Sequence, residues 1–253
     1  MLISAALTLA AASSSAGWFG DCDYSAPRSA SAPAAGVTRI VIVGRAGELR
    51  VTGARGAAEV RAKGTACTTD RDMLSQITLT ATRSGSELRI EANMPESEFW
   101  SGSRALDFEV TVPEDVPLRI DDTSGELNVE NVGPAEIQDR SGSLHVRNVA
   151  GDCSIDDTSG EITVEHVTGR VSIVDTSGSI EVDDAGDVDI PSDSSGSVDI
   201  RHVRHNVTIG SKGSGGITVS DVGGDFTVRH KGSGSIDYER VVGRVDVPRR
   251  NRD

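Results

Sequence analysis

A glycine preceded by serine returns at a nearly constant interval through the second half of this 253-residue chain. It stands at Gly125, Gly142, Gly160, Gly178, Gly196, Gly215 and Gly234, in steps of 17, 18, 18, 18, 19 and 19 residues. A second marker falls midway: Gly133, Gly151, Gly169 and Gly186, then His205 where a glycine is due, then Gly224 and Gly243. Each unit is thus two halves of about nine residues. A unit this short cannot bury its apolar face alone, so neighbouring units must stack, and the repeat specifies a solenoid.

The apolar residues say what is stacked. In each half they fall two and four places after the marker, as in Leu127 and Val129, Ile162 and Val164, Val171 and Ile173, or Ile217 and Val219. In the half opened by Ser-Gly a third follows at seven places: Val132, Val149, Val167, Ala185, Val203, Val222 and Val241. A two-residue period is that of a strand with one face buried. The expected fold is all-β, a right-handed parallel β-helix of about 18 residues per coil, its hand following the general preference of parallel crossovers. A left-handed β-helix of the same coil length would show three markers per coil, and here there are two. Seven coils at about 4.8 Å each predict a rod roughly 30–35 Å long.

The rest of the chain divides around this array. Residues 36–117 are less regular and read as a β region capping the solenoid at residues 118–247. The stretch "GELRVTGARGAAEVRAKG" already steps by nine, from Gly47 to Gly56, and "QITLTATRSGSELRIEANMP" reads as a hairpin turning at Ser84–Ser86. A cap is needed because an open coil exposes its core and an unpaired edge. Residues 1–16, with a short apolar run and small residues before a cleavage point after Ala16, read as a signal peptide. Residues 17–35 read as a flexible leader, and residues 248–253 as a basic tail. Cys22 in "FGDC" lacks the pattern of a lipid anchor. The net charge of −14 argues against nucleic acid and anionic membrane surfaces as partners, and no other stretch could span a bilayer.

The motif Asp-Thr-Ser-Gly invites comparison with the loops of aspartic proteases, but its recurrence decides otherwise. Asp122, Asp139, Asp157, Asp175 and Asp193 share one position, Ser124, Ser141, Ser159, Ser177 and Ser195 a second, and Gly125, Gly142, Gly160, Gly178 and Gly196 a third. A catalytic motif occurs once or twice; this one occurs once per coil and reads as a turn, with Asp and Ser bonding local backbone N–H groups and Gly supplying positive φ. Stacked carboxylates about 4.8 Å apart repel, and the column changes sign at Lys212 and Lys231. Calcium-binding rolls carry Gly-Gly-x-Gly-x-Asp, a spacing that "GGITVSDVGGDFTV" lacks. His145, His166, His202, His205 and His230 do not share one column in neighbouring coils; His166 and His202 do share one, two coils apart. Tyr238 reads as inward, which leaves almost no exposed aromatic to stack on a sugar ring. No catalytic, cofactor or metal residues are assigned. Cys153 takes an inward position and reads as a buried thiol, whereas Cys22 and Cys67 lie outside the repeat and would pair as a disulfide in an oxidising compartment.

The segments "GELRVTG", "LDFEVTVPEDVPLRI" and the "DTSGELNVENV"-like units make the chain resemble the bacterial putative-adhesin family of β-strand-repeat proteins, related to the head domain of autotransporter adhesins. The resemblance runs from Gly36 to about Val247. It implies an exported β-helix, in the periplasm or at the cell surface, with no catalytic residues to carry over, and the expectation is of a chain that is not itself an autotransporter with a long C-terminal translocator. The function expected is therefore non-enzymatic binding or scaffolding, with a surface protein or glycan as partner, no nucleic acid, no membrane insertion, and a monomer or weak self-association. The alternatives are a scaffold that polymerises end to end, as bactofilins do, and a carbohydrate-active enzyme, which would need a groove with converging carboxylates.

Overall fold

A computed structural model describes residues 22–95 and 103–248. The expected signal peptide, the first residues of the leader and the basic tail from 249 onward lie outside the described residues.

The chain begins with β1 (Tyr24–Pro33), β2 (Arg39–Val43), β3 (Leu49–Ala54) and β4 (Glu59–Thr68). A single helical turn, α1 (Arg71–Leu74), leads to the hairpin of β5 (Thr78–Ser84) and β6 (Glu87–Asn93), and then to β7 (Arg104–Pro113). Coils follow from Leu118: β8 (Leu118–Asp121) with β9 (Gly125–Val132), and β10 (Ala135–Gln138) with β11 (Gly142–Val149). The next two coils are continuous strands, β12 (Cys153–Val167) and β13 (Arg170–Ala185). Then come β14 (Asp187–Ser195) with β15 (Val198–Val203), β16 (Val207–Ser214) with β17 (Ile217–Val222), β18 (Phe226–Lys231) with β19 (Ile236–Val241), and finally β20 (Val245–Asp246). All belong to one sheet.

Successive coils pair in parallel and stack like on like. Leu127 lies beside Leu144, Leu144 beside Ile162, Ile162 beside Ile180, Ile180 beside Val198 and Val198 beside Ile217. The residues two, four and seven places after each Ser-Gly marker are buried as the alternation requires, up to the last coil. Cys153 is buried in register with Val171. One irregularity lengthens the later coils. Ser172 pairs with Asp189 but Val174 with Ser192, so β14 carries one extra residue around Ile190 and Pro191. The bulge puts Pro191 where no ladder hydrogen bond is needed, and β16 and β18 copy it in register.

The N-terminal region is more than a cap, which corrects the expected boundary at residue 118. Strand β2 pairs in parallel with β8 on one side and β6 on the other, and β3 lies likewise between β9 and β7. Two further coils therefore continue the stack, and their order in space is not their order in the chain. The cap proper is antiparallel: β4 runs along β7, β1 along β4, and β5 along β6. Reversing strand direction ends the parallel stack. The flexible leader is also corrected, because ten of its residues form β1. Its Ser, Ala and Pro composition has little strand propensity, but pairing with β4 overrides it. A disulfide joins Cys22 to Cys67, and Arg28 donates to the carbonyls of Leu74 and Ile77. Tyr238 keeps its inward column beside Val219 but is 48% exposed, since no coil lies beyond it.

The Ser-Gly glycines permit this close stacking. Gly178 has φ of +145°, and a Cβ there would stand 1.6 Å from the carbonyl oxygen of Gly160 in the preceding coil. Gly178→Ala should therefore destabilise the chain by at least about 2 kcal/mol through backbone strain and overlap. Gly216→Ala, whose Cβ would meet nothing nearer than Ser235 Oγ at 3.6 Å, should change stability by no more than about 0.5 kcal/mol. Urea unfolding of the two variants checks the contrast; equal losses would contradict it.

Candidate functional site

The turn motif encloses the most unusual chemistry in the molecule. Strand alternation continues through it: Cys153, Ile155 and Asp157 all point inward, as do Val171, Ile173 and Asp175. Asp122, Asp139, Asp157, Asp175 and Asp193 are each no more than 5% exposed, and stacking in register makes them a column of carboxyls under the corner of the solenoid. This corrects the reading of these residues as turn formers alone. They do serve the turn: the N–H of Arg140 donates to Asp139 Oδ1 at 2.7 Å and that of Ser177 to Asp175 Oδ1 at 3.1 Å. Yet Asp139 Oδ2, Asp157 Oδ1, Asp175 Oδ2 and both oxygens of Asp122 are buried without a hydrogen-bond partner.

The serines do the outward part of the turn. Ser141 Oγ donates to the carbonyl of Thr123 at 3.2 Å, Ser159 to Arg140 at 3.2 Å, and Ser177 to Thr158 at 3.3 Å. Each hydroxyl thus ties its coil to the one before. Ser195 reaches Thr176 in the same way at 3.5 Å. Ser124, in the first repeat, forms a parallel bridge with Ala46. Gly125, Gly142, Gly160, Gly178 and Gly196 all have positive φ.

The two ends of the carboxyl column differ. At the capped end the register places Gly44 beside Asp122, and a Cβ on Gly44 would stand 2.0 Å from Asp122 Oδ1. At the other end Lys212 is in register with Asp193, and its Nζ lies 2.6 Å from Asp193 Oδ2 with both side chains fully buried. Lys231 follows beside Lys212. Burial, with Asp139 adding repulsion, pushes Asp122 up to about 7. Burial and the neighbouring carboxyls push Asp157 and Asp175 each to about 6. Burial also raises Asp139, against the N–H groups of Arg140 and Ser141. It raises Asp193 too, and there the Lys212 ammonium opposes it. Lys231 is lowered by burial and by Lys212. The column can therefore hold protons near neutrality and share them between neighbours. It is closed to external substrates.

The other predicted positions lie apart from it. Cys153 is buried, and burial pushes its thiol up to about 12. His166 and His202 occupy a corner column that the sequence reading passed over, in which Asn131, Asn148, His166, Asp184, His202, Asp221 and Arg240 all have positive φ near 55°. Asn148 donates to Asn131 at 3.0 Å, and Arg240 to Asp221 at 2.6 and 2.9 Å. The His202 ring lies 2.6 Å from Asp183, which raises its pKa. A shallow depression of about 400 Å³ on another face is lined by Arg170, Asp187, Asp189, Asn206 and Arg229 among others. Among the described residues no three His, Cys, Asp or Glu are grouped to hold a metal ion.

No family model matches the chain, and neither does any curated protein. Among solved structures it is similar to a "putative adhesin" from Parabacteroides merdae, at 12% identity over 88% of this chain and 96% of that one, with a TM-score of 0.42. It is also similar to a "putative cell adhesion protein" from Clostridium sporogenes, at 12% identity over 88% and 99% of the two chains and a TM-score of 0.35. A "putative lipid binding protein" from Parabacteroides distasonis is similar at 15% identity, covering 87% and 96%, with a TM-score of 0.38. No site residue is carried over from these proteins.

The column makes stability depend on pH in an unusual direction. Carboxyls raised in the folded state bind protons more tightly than when unfolded, where they titrate near 3.9. Their contribution is fully present below about pH 4 and is lost as pH rises through about 6 to 7. With about 1.4 kcal/mol per pKa unit, the melting temperature at pH 5 should exceed that at pH 8 by about 5 °C or more, and Asp122→Asn should flatten the profile. Asp175→Asn keeps the oxygen that accepts from Ser177 and removes one charge, so it should be neutral or stabilising at pH 8; a loss above about 2 kcal/mol would contradict this. Lys212→Met strands Asp193 and should cost about 3–5 kcal/mol at pH 8, and less at pH 5. Thermal melts at the two pH values check all three variants.

Proposed function

We propose that the chain is an exported, non-enzymatic binding module of the adhesin type, acting in the periplasm or at the cell surface. The observation that carries this reading is the lateral surface of the stack. Outward positions align from coil to coil, as in the column Asn128, His145, Thr163, Glu181, Asp199 and Thr218. A rigid ladder of polar groups, repeated at one strand spacing, suits an extended partner. The groups with the largest carboxylate shifts lie inside and cannot meet a substrate. The resemblance of "GELRVTG" and its companion segments to the adhesin family supports the same reading, and the disulfide between Cys22 and Cys67 suits an oxidising compartment. Among the described residues no helix is long and apolar enough to cross a membrane.

A surface protein is favoured over a glycan as partner. Aromatic residues make up only 3% of the chain, so few rings are available to stack on sugars. End-to-end polymerisation is the weaker reading, because the antiparallel strands β1, β4 and β7 close one end of the stack.

The test is binding of the purified secreted chain to intact cells. Saturable binding that protease treatment of the cells abolishes is the expected result. Reversing Glu161, Glu165 and Glu181 to Lys should weaken it about tenfold. Release of reducing ends from a polysaccharide, or filaments under the electron microscope, would overturn the proposal.

A further inference from the structure

The last coil leaves two things uncovered at once, an apolar strip and a row of backbone groups. In the coil before it, Ile217, Val219 and Val222 are buried. Their counterparts Ile236, Tyr238 and Val241 have no coil upon them: Ile236 and Val241 are half-buried, Tyr238 is 48% exposed, and neighbouring Val242 is 81% exposed. Strand β19 hydrogen-bonds β17 along one edge, and among the described residues no strand pairs with its other edge. The chain beyond it turns away, since β20 pairs with β18. Natural proteins usually blunt such an edge with charge, lysine above all, or with proline or a bulge, and β19 carries charge in Asp237, Glu239 and Arg240 but no lysine, proline or extra residue.

The outward charges say what fits. Asp237 rests on Thr218 and Glu239 on Ser220, so no cation lies beneath either. Arg240 reaches Glu239 and Asp221, and among the described residues no cation pairs with Asp237. A strand added in either direction sets like faces side by side. A second copy of β19 would therefore bring Asp237 and Glu239 against acidic residues of its own kind, in a chain whose net charge is −14. Like charges opposite one another disfavour pairing, and opposite charges favour it.

We propose that the free edge of β19 docks an extended segment of another polypeptide that alternates apolar and basic side chains, adding it as the next strand of the solenoid. Its backbone would satisfy the free edge. Its apolar side chains would cover Tyr238 and Val241, and its lysines or arginines would face Asp237 and Glu239. The inference deepens the binding role proposed above by giving it a place and a partner chemistry.

The experiment titrates the full secreted chain with two labelled synthetic peptides, one alternating valine and lysine, the other valine and glutamate. The lysine peptide should bind saturably, at least about tenfold more tightly than the glutamate peptide, and should slow hydrogen exchange at residues 236–241. Asp237→Lys with Glu239→Lys should reverse the preference. Equal affinities, protection elsewhere than β19, or a dimer on size exclusion that binds neither peptide would overturn the proposal. Cell binding that persists when β19 fails to dock would leave the broader binding role standing; loss of both would remove it.

Discussion

Everything in this molecule depends on the parallel backbone ladder between coils. It holds each coil one strand spacing from the next and sets every residue beside its equivalent. The Ser-Gly glycines allow the close approach, since each passes over the carbonyl of the glycine before it. Once that spacing is imposed, each position in the repeat becomes a column of like residues. For Val, Ile and Leu this is favourable, and the columns merge into one core. For a charged residue it is costly, because the ladder enforces proximity between like charges.

The aspartate column shows how that conflict is resolved. Only Asp193 has a buried cation beside it, Lys212. Asp139, Asp157 and Asp175 accept hydrogen bonds from backbone N–H groups of their turns, while burial and repulsion from Asp139 lift Asp122 to about 7, so that a proton can offset its charge near neutrality. A buried polar column also penalises slippage. A shift of two residues, which keeps inward side chains inward, would place a carboxyl among the isoleucines of the next coil, away from the N–H groups of its turn. Buried polar groups elsewhere specify register at a cost in stability, and this column is placed to do so here.

Much of the fold was legible because periodicity is a strong signal. The inward columns, the half-unit length and the inward position of Cys153 follow from counting along the chain. The burial of the aspartates was legible too: Asp157 is two places beyond Ile155, the parity of an inward side chain, but the turn-forming habit of Asp-Thr-Ser-Gly masked it. Other features had no local signal. Strands β2 and β3 lie between β6–β7 and β8–β9, an order set by tertiary pairing that no spacing in residues 36–117 reveals. The disulfide between Cys22 and Cys67 was legible, but the strand it anchors was not: β1 is held by pairing with β4 and by Arg28 on the carbonyls of Leu74 and Ile77, which its Ser- and Pro-rich sequence does not announce. The corner column from Asn131 to Arg240 was passed over because its residue types differ. What they share is a left-handed backbone, which Asn and Asp tolerate better than most residues.

The two ends of the stack are chemically unlike, and this gives the solenoid a direction. At the capped end the carboxyl column begins against Gly44, with no cation beside Asp122, and burial and Asp139 raise its pKa. At the open end the same column has turned cationic, and Lys231 lies beside Lys212 with no carboxylate of its own. On the opposite wall of the last coil, Asp237 and Glu239 of β19 face outward, with Arg240 beside Glu239. A copy of the chain brought end to end therefore meets a closed cap at one end and like charge at the other. Both obstacles arise from the stacking that stabilises the interior. The geometry that makes the solenoid regular thus also works against end-to-end growth, and among the described residues it sets the side ladders and the edge of β19 in reach of other molecules.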